Sequence, residues 1–277
     1  MRRSALSSLA LVAILATAGP SRAGLIAHYT FDETGGTIAH DSVGGIDGTL
    51  NGGASFAPGA GRFGGAVLLD RTASGLVNMG NNFSFNGSSD FSIAVWFNTS
   101  DTASAGSIVI GKHFTTHSVG YFLGLGNTGD GLGGTAHVAL THGPDGTVAY
   151  SGGQTNKVVV DGQWHQAVEV DHAGSQFMFY IDGVLQDTRP SDTINTTPKD
   201  FLVGGVVLFN GTPTGFYNGL IDDLRIYNNA LSGSDVTSLF NPNPTTATPE
   251  PSTLALAVLG GTAMIGFAVR KRRGDVG

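Results

Sequence analysis

The sequence contains no cysteine. That excludes a disulfide framework, a thiolate nucleophile and any zinc–thiolate site, so the fold must rest on core packing, with at most a metal held by oxygen ligands. Charged residues are scarce at 13% of 277, and glutamate occurs only at Glu33, Glu169 and Glu250. Such scarcity rules out a disordered polyelectrolyte and a charged coiled coil. Seven of the 14 Lys and Arg lie in the two ends, as do two of the 21 Asp and Glu, which leaves residues 24–248 with a net charge of −12. A body this acidic lacks the basic patches that nucleic-acid binding requires. Glycine, by contrast, is abundant: 43 residues without a G-X-Y period, a usage that fits short strands joined by tight turns and excludes collagen.

The ends read as addresses. Met1-Arg2-Arg3, an apolar run from Ala5 to Ala18 and the small residues Gly19-Pro20-Ser21-Arg22-Ala23 have the order of a cleaved signal peptide over residues 1–23. At the other end Thr253 to Val269 carries no charge and has the minimum length for a transmembrane helix, about 17 residues. The cations Arg270-Lys271-Arg272-Arg273 follow and would stay on the cytoplasmic side. Pro249, Glu250 and Pro251 stand just ahead of this segment, after a spacer at 241–248. In this order, residues 249–273 resemble the PEP-CTERM sorting tail of Gram-negative bacteria. The resemblance implies recognition by an exosortase-type machinery, tethering in the membrane through the helix before processing, and delivery to the cell surface or matrix. Such systems accompany exopolysaccharide production.

Between the ends, short apolar runs alternate with turn signals, the pattern of a single all-β sandwich. Expected strands are Leu25–Asp32, Ala66–Asp70, Phe91–Asn98, Ser107–Lys112, Val119–Leu125, Ala136–Thr141, Trp164–His172, Ser175–Asp182, Phe201–Val203 and Gly219–Tyr227. Period two puts Phe91, Ile93, Val95 and Phe97 on one face, and likewise Phe177, Phe179 and Ile181. Asp182-Gly183 is a hairpin signal, and Ser232 to Asp235 is a capping box opening one internal helix with Val236, Leu239 and Phe240.

Six ordered motifs now carry a second resemblance: Tyr29-Thr-Phe-Asp32, Phe63 to Asp70, Phe91 to Trp96, Trp164 to Val168, Phe179 to Val184, and Ile221 to Ser232. Together they are similar to the laminin-G-like (LamG) jelly roll of the concanavalin A-like superfamily, over nearly all of 24–240. The resemblance implies two antiparallel sheets, one of them concave. It implies no activity, because the fold hosts lectin modules, glycan hydrolases and structural domains.

Chemistry is thinner than architecture. The laminarinase-type hydrolases of this superfamily carry Glu-x-Asp-x-x-Glu on one strand, and here Glu169-Val-Asp171 matches but the second glutamate is missing. Without the pair of carboxylates that glycoside hydrolysis uses, no enzyme is expected. His113 and His117 have ligand-like spacing on a segment leaving a strand and read as loop histidines. Asp222 falls among Leu220, Leu224 and Ile226 on one face, where an unpaired charge is costly. Two readings stay open for it: a hydrogen-bonded carboxylate, or a ligand of structural Ca²⁺ together with Asp32, as the family resemblance suggests. For glycan binding, Trp96, His165 and Tyr180 are the candidates, each opposing an apolar face on its strand, with core packing favoured over ligand contact for Trp96. The expectation is a non-catalytic, exported protein that binds or organises extracellular polysaccharide or mediates adhesion. The alternatives are a surface-coat component with no discrete ligand and a carbohydrate-active enzyme.

Overall fold

The structure is a computed structural model and describes residues 24–85, 89–102, 107–114, 119–126, 135–142, 149–151, 154–191, 198–207 and 211–242. The signal segment 1–23, the sorting residues Pro249, Glu250 and Pro251, and the apolar stretch 253–269 lie outside the described residues, as do the side chains of His113 and His117. Among the described residues, no helix is long and apolar enough to cross a membrane.

In chain order the strands are β1 (Leu25–Tyr29), β2 (Ile38–Ala39), β3 (Gly48–Asn51), β4 (Ala54–Ala57), β5 (Ala66–Leu69), β6 (Leu76–Asn78), β7 (Phe91–Asn98), β8 (Ile108–Phe114), β9 (Val119–Leu125) and β10 (Thr135–His142). Then come β11 (Ala149–Ser151), β12 (Gln154–Val158), β13 (Trp164–His172), β14 (Gln176–Ile181), β15 (Val184–Pro190), β16 (Leu202–Val203), β17 (Val206–Val207), β18 (Pro213–Thr214), β19 (Gly219–Tyr227) and helix α1 (Gly233–Phe240). They form two sheets, as the sequence pattern requires. One has eight strands in the order β15-β14-β13-β7-β19-β5-β4, with β1 also on β19. The other has eleven, in the order β11-β10-β9-β8-β16-β6-β3-β2, with β12 on β10 and the β17–β18 hairpin on β8.

The expected alternation fills the space between the sheets. Phe91, Ile93, Val95 and Phe97 of β7 and Phe177, Phe179 and Ile181 of β14 meet Val109, Ile110, Tyr121 and Leu123 of the facing sheet. Phe85 stacks on Phe91 with centroids 4.3 Å apart, and Tyr121 tilts against Phe91 at 5.3 Å. Asp182 and Gly183 join β14 to β15 with φ of 52° and 74°, the positive values that a two-residue primed turn demands.

The helix decides what becomes of one outer face. Ser232 Oγ accepts from Asp235 N at 3.2 Å and Asp235 Oδ2 accepts from Ser232 N at 3.0 Å, so the expected capping box is formed. Val236 and Leu239 then pack on Ala94, Val168, Val170, Tyr180 and Tyr227, the outer side of the eight-stranded sheet.

Two local expectations change. A bulge between Asp222 and Arg225, with Asp223 at φ 48°, interrupts the alternation of β19 against β7. Ile221, Leu224 and Ile226 therefore face the core, while Asp222 lies opposite Trp96 on the other side. On β13 the faces are exchanged. Val168 and Val170 lie under the helix, so Glu169 and Asp171, with Ala167, turn toward the core between the sheets.

Candidate functional site

None of the three aromatic or histidine candidates offers a free face. Trp96 is 1% exposed; Phe240 stacks on its ring at 5.5 Å, Phe63 meets it edge-on at 5.7 Å, and the Arg62 guanidinium lies 4.8 Å from its centroid. Tyr180 is buried beneath the helix with its hydroxyl toward Met178 Sδ. His165 is buried between two carboxylates, Asp182 Oδ2 at 2.8 Å from Nδ1 and Asp161 Oδ1 at 3.2 Å from Nε2. The hydrogen bond with Asp182 chiefly holds its pKa above the usual 6.5, against burial. Lys157 completes an ion pair with the same Asp182. Trp96 and Tyr180 are covered because the outer face of their sheet is not bare there, and His165 is covered because, with Ala167 and Glu169, it lies on the core-ward side of β13, its ring 6.2 Å from that of Phe97.

Asp32 and Asp222 do converge on a single short loop. Asp32 Oδ1 accepts from Gly65 N at 2.6 Å, and Asp222 Oδ2 accepts from Phe63 N at 2.9 Å. A Cβ at Gly61 would stand 2.9 Å from Asp222 Oδ2, and one at Gly64 would collide with Asp32 Oδ1, so these glycines let the loop close on both acids. Asp222 is fully buried and its Oδ1 has no hydrogen-bond partner. Burial pushes its pKa up from 3.8 to about 7, opposed by the Phe63 amide. Among the described residues, no group of three His, Cys, Asp or Glu gathers in the manner of a metal site.

The open site lies on the outer side of the eleven-stranded sheet, which no helix covers among the described residues. On β3, β6 and β16, Leu50, Val77 and Val203 point into the core. Alternation therefore sends their neighbours outward: Asn51, Leu76, Asn78 and Leu202. These line a groove of about 610 Å³ whose walls include Lys199, Asp200 and Phe216. Leu76, Leu202 and Val207 form a small apolar floor against which half-buried Phe216 packs. Asn78 is fixed at both ends, its Oδ1 accepting from Gly80 N at 2.7 Å and its Nδ2 donating to Asp200 Oδ2 at 2.9 Å. Buried Lys112 holds the neighbouring segment by donating to Asn81 Oδ1 at 2.7 Å and to the Lys199 carbonyl at 2.6 Å. Burial lowers the Lys112 pKa to about 8, with the Asp200 charge opposing. Gly111 is required here, because a Cβ would collide with Val206 Cγ1 and lift the β17–β18 hairpin off the sheet.

A groove of this size, with an apolar floor, one aromatic edge and a few oriented polar groups, is what a small-molecule or sugar site needs. Its strand residues come from segments of two to four residues, too short for a periodic pattern to mark them in the sequence. The outward Asn78, two positions from Leu76, was the available signal.

Comparison with known proteins agrees with this architecture. Residues 247–273 match the PEP-CTERM protein-sorting motif, so the chain carries that sorting signal. Among curated proteins, none matches the chain. Similar solved structures include the binding domain of Paraclostridial Mosquitocidal Protein 1, 16% identical with a TM-score of 0.61, covering 79% of this chain and 52% of that one. Domain 4 of AbnA, a GH43 extracellular arabinanase from Geobacillus stearothermophilus solved with arabinotriose, is 23% identical with a TM-score of 0.57, covering 79% and 99%. The botulinum neurotoxin serotype D ligand-binding domain in complex with N-acetylneuraminic acid is 13% identical with a TM-score of 0.53, covering 79% and 51%. The chain thus spans about half the length of the toxin domains, and at these identities the likeness is one of fold. Residues 71–237 match the laminin-G-type model of the concanavalin A-like lectin/glucanases superfamily, and the chain belongs to that superfamily.

Proposed function

We propose that the protein is exported, sorted to the cell surface through its C-terminal signal, and there binds extracellular polysaccharide without cleaving it. The observation that carries this reading is the groove between Asn51, Asn78, Asp200 and Phe216, the one bare sheet face among the described residues with an aromatic edge and oriented amides. The sugar ligands in two similar solved structures support the class of ligand. A non-catalytic role is supported by where the hydrolase-like residues point. Glu169 and Asp171 are 3% and 0% exposed between the sheets, where no glycan can reach them, and among the described residues Asp200 is the sole carboxylate lining the groove.

A calcium ion would fit the Gly61–Gly65 loop. Asp222 Oδ1 is an orphaned, buried oxygen, and Asp32 brings a second carboxylate to the same loop. These two acids would hold the ion, with the remaining oxygens of its shell from carbonyls or water, and its role would be to brace the loop against Trp96.

The test is binding of the full chain, in mild detergent, to a panel of soluble polysaccharides, with calcium and again with EDTA. The expected result is retention of at least one polysaccharide, weakened on F216A and on N78A while both variants stay folded. Retention unaffected by either variant would remove the groove from the mechanism.

A further inference from the structure

The outer side of the eight-stranded sheet is covered only in part. Helix α1 ends at Phe240, which stacks on Trp96 of β7. Asn98 is the next outward position on that strand, about 7 Å further along. Strand pairing carries its level across five strands: Trp164 of β13 stands opposite Asn98, Asn98 opposite Leu220 of β19, Leu220 opposite Leu68 of β5, and Leu68 opposite Ser55 of β4. Phe97, Ile221, Val67 and Ala167 face the core, and half-buried Phe56 packs on it, so alternation turns all five of these residues outward.

This row is not sealed. Leu68 is 42% exposed, Ser55 is exposed, and Trp164, Asn98 and Leu220 are half-buried. With neighbouring strands about 4.8 Å apart, the row makes a ledge about 19 Å long, apolar at Leu68 and Leu220 and ending in an indole ring.

Beside the ledge lies a recess of about 350 Å³, lined by Asn98 and Leu220 from the row and by Thr99, Ser100, Asp101 and Asn218 beyond it. Its walls are fixed. Thr99 Oγ1 donates to Asn218 O at 2.6 Å and accepts from Asp101 N at 3.0 Å, and Asn98 Nδ2 donates to Gly162 O at 3.1 Å. Arg71 donates its amide to Asn218 Oδ1 at 3.4 Å and its guanidinium to Asp101 Oδ2 at 3.0 Å. That ion pair balances the one acid of the recess, and the five ledge residues carry no charge. An outward tryptophan beside ordered amides and hydroxyls suits an uncharged sugar, whose ring stacks while its hydroxyls find partners.

The groove and the recess have no lining residue in common, and they open on opposite outer sides of a sandwich whose sheets lie about 10 Å apart. We propose that the ledge and its recess form a second site for neutral polysaccharide, back to back with the groove, so that one molecule ties two strands of polymer together. This inference rests on the glycan reading above.

Its test mixes the full chain, in mild detergent, with linear arabinan, xylan, laminarin and galactomannan, and follows the turbidity of each mixture. A tetrasaccharide prepared from whichever polymer binds is then titrated calorimetrically. The parent should bind two tetrasaccharides per chain and turn the polymer turbid. F216A in the groove, and W164A or Ser100→Trp at the second site, should each bind one and leave the polymer clear. Ser100 is exposed, so S100W fills the recess from outside and carries the test if W164A lowers the melting temperature. A stoichiometry of one in the parent, or turbidity that survives S100W at the parent's melting temperature, overturns the two-site inference and leaves the single-groove reading standing. Silence from all four polymers with a folded protein overturns both.

Discussion

Replacing Glu169 with leucine should stabilise this protein, and increasingly so as the pH rises. Glu169 is 3% exposed and neither carboxyl oxygen has a hydrogen-bond partner. It sits opposite Ile93 on β7 and Phe179 on β14, with Tyr121 across the sandwich and Asp171 two residues along the same face. Burial first, and the Asp171 charge second, hold its pKa well above 4.5, so the folded protein keeps a proton that the unfolded chain releases. The stability owed to that protonated form is present in full below about pH 4.5 and is lost as the pH climbs through the folded-state value. Each pH unit of that climb costs about a factor of ten in the folding equilibrium. Leucine is close to glutamate in volume and has no oxygens to strand, each of which costs about 1–3 kcal/mol when buried unpaired. A net gain of about 1–3 kcal/mol near neutral pH should result after imperfect repacking, or roughly 2–12 °C in Tm for a domain of this size. Urea unfolding at about pH 5, 6 and 7 measures it, followed by the fluorescence of Trp96, which is sealed between Phe63 and Phe240, and of half-buried Trp164. Glu169→Gln is the control: it should flatten the pH dependence without the gain, because its amide remains unpaired. A leucine variant less stable than the parent at neutral pH would show that the carboxyl is charged and held by a partner, and one equally improved at every pH would show that folding does not change its proton affinity; either result refutes the reasoning.

Other consequences follow from the same geometry. The stabilisation owed to protonated Asp222 is present below 3.8 and is lost as the pH rises through about 7, so D222N should flatten unfolding curves across that window in chelator. Millimolar calcium should then raise the Tm of the parent and not of D222N; an equal rise in both would place any ion elsewhere. Trp96→Ala should cost about 3–5 kcal/mol by thermal or urea unfolding, while the folded fraction binds polysaccharide as the parent does, since Trp96 belongs to the sealed face. A selective loss of affinity would return it to the site. His165 contributes stability in full below pH 6.5 that fades as the pH passes its raised folded-state value, so H165Q should weaken the protein in acid and change it little in base. Denaturation between about pH 5 and pH 9 checks the sign, and a larger loss in base would contradict it.

The long strands were legible because their apolar residues repeat at period two against an apolar partner. All ten expected strands appear, most within a residue or two of their bounds, and β7 and β14 bury the faces predicted for them. The hairpin turn and the helix start were legible too, because Asp182-Gly183 and Ser232 to Asp235 are local chemistry that needs no tertiary partner. What failed depended on something non-local. The bulge at Asp223 is a single residue with φ of 48°, which no periodicity records, and it moved Leu224 into the core and left Asp222 outside it. β13 is buried over seven consecutive residues, so alternation could not say which of Val168 and Glu169 faced the facing sheet. β2, β6, β17 and β18 are two or three residues long and exist only through their neighbours, and the groove is built mostly from such pieces.

Which outer face stays open follows from where the chain goes after its last strand. β19 is an interior strand of the eight-stranded sheet, and the residues beyond Tyr227 turn back as an eight-residue helix. So short a helix, with only Val236 and Leu239 buried, is marginal alone and must dock where its chain begins. It docks on the outside of that sheet, and Ala94, Val168, Val170, Tyr180 and Tyr227 are apolar there because they are covered. An aromatic residue beneath the helix is therefore part of a second small core, however outward its strand position looks. The eleven-stranded sheet receives no such cover among the described residues, and its outer positions differ accordingly: amides at Asn51 and Asn78, a shallow apolar floor, and Phe216 left half-exposed at the rim. Mixed polarity on an uncovered sheet has no packing role to explain it. That is the physical ground for proposing ligand recognition on this sheet, at the far side of the sandwich from the tryptophan that the sequence brings first to attention.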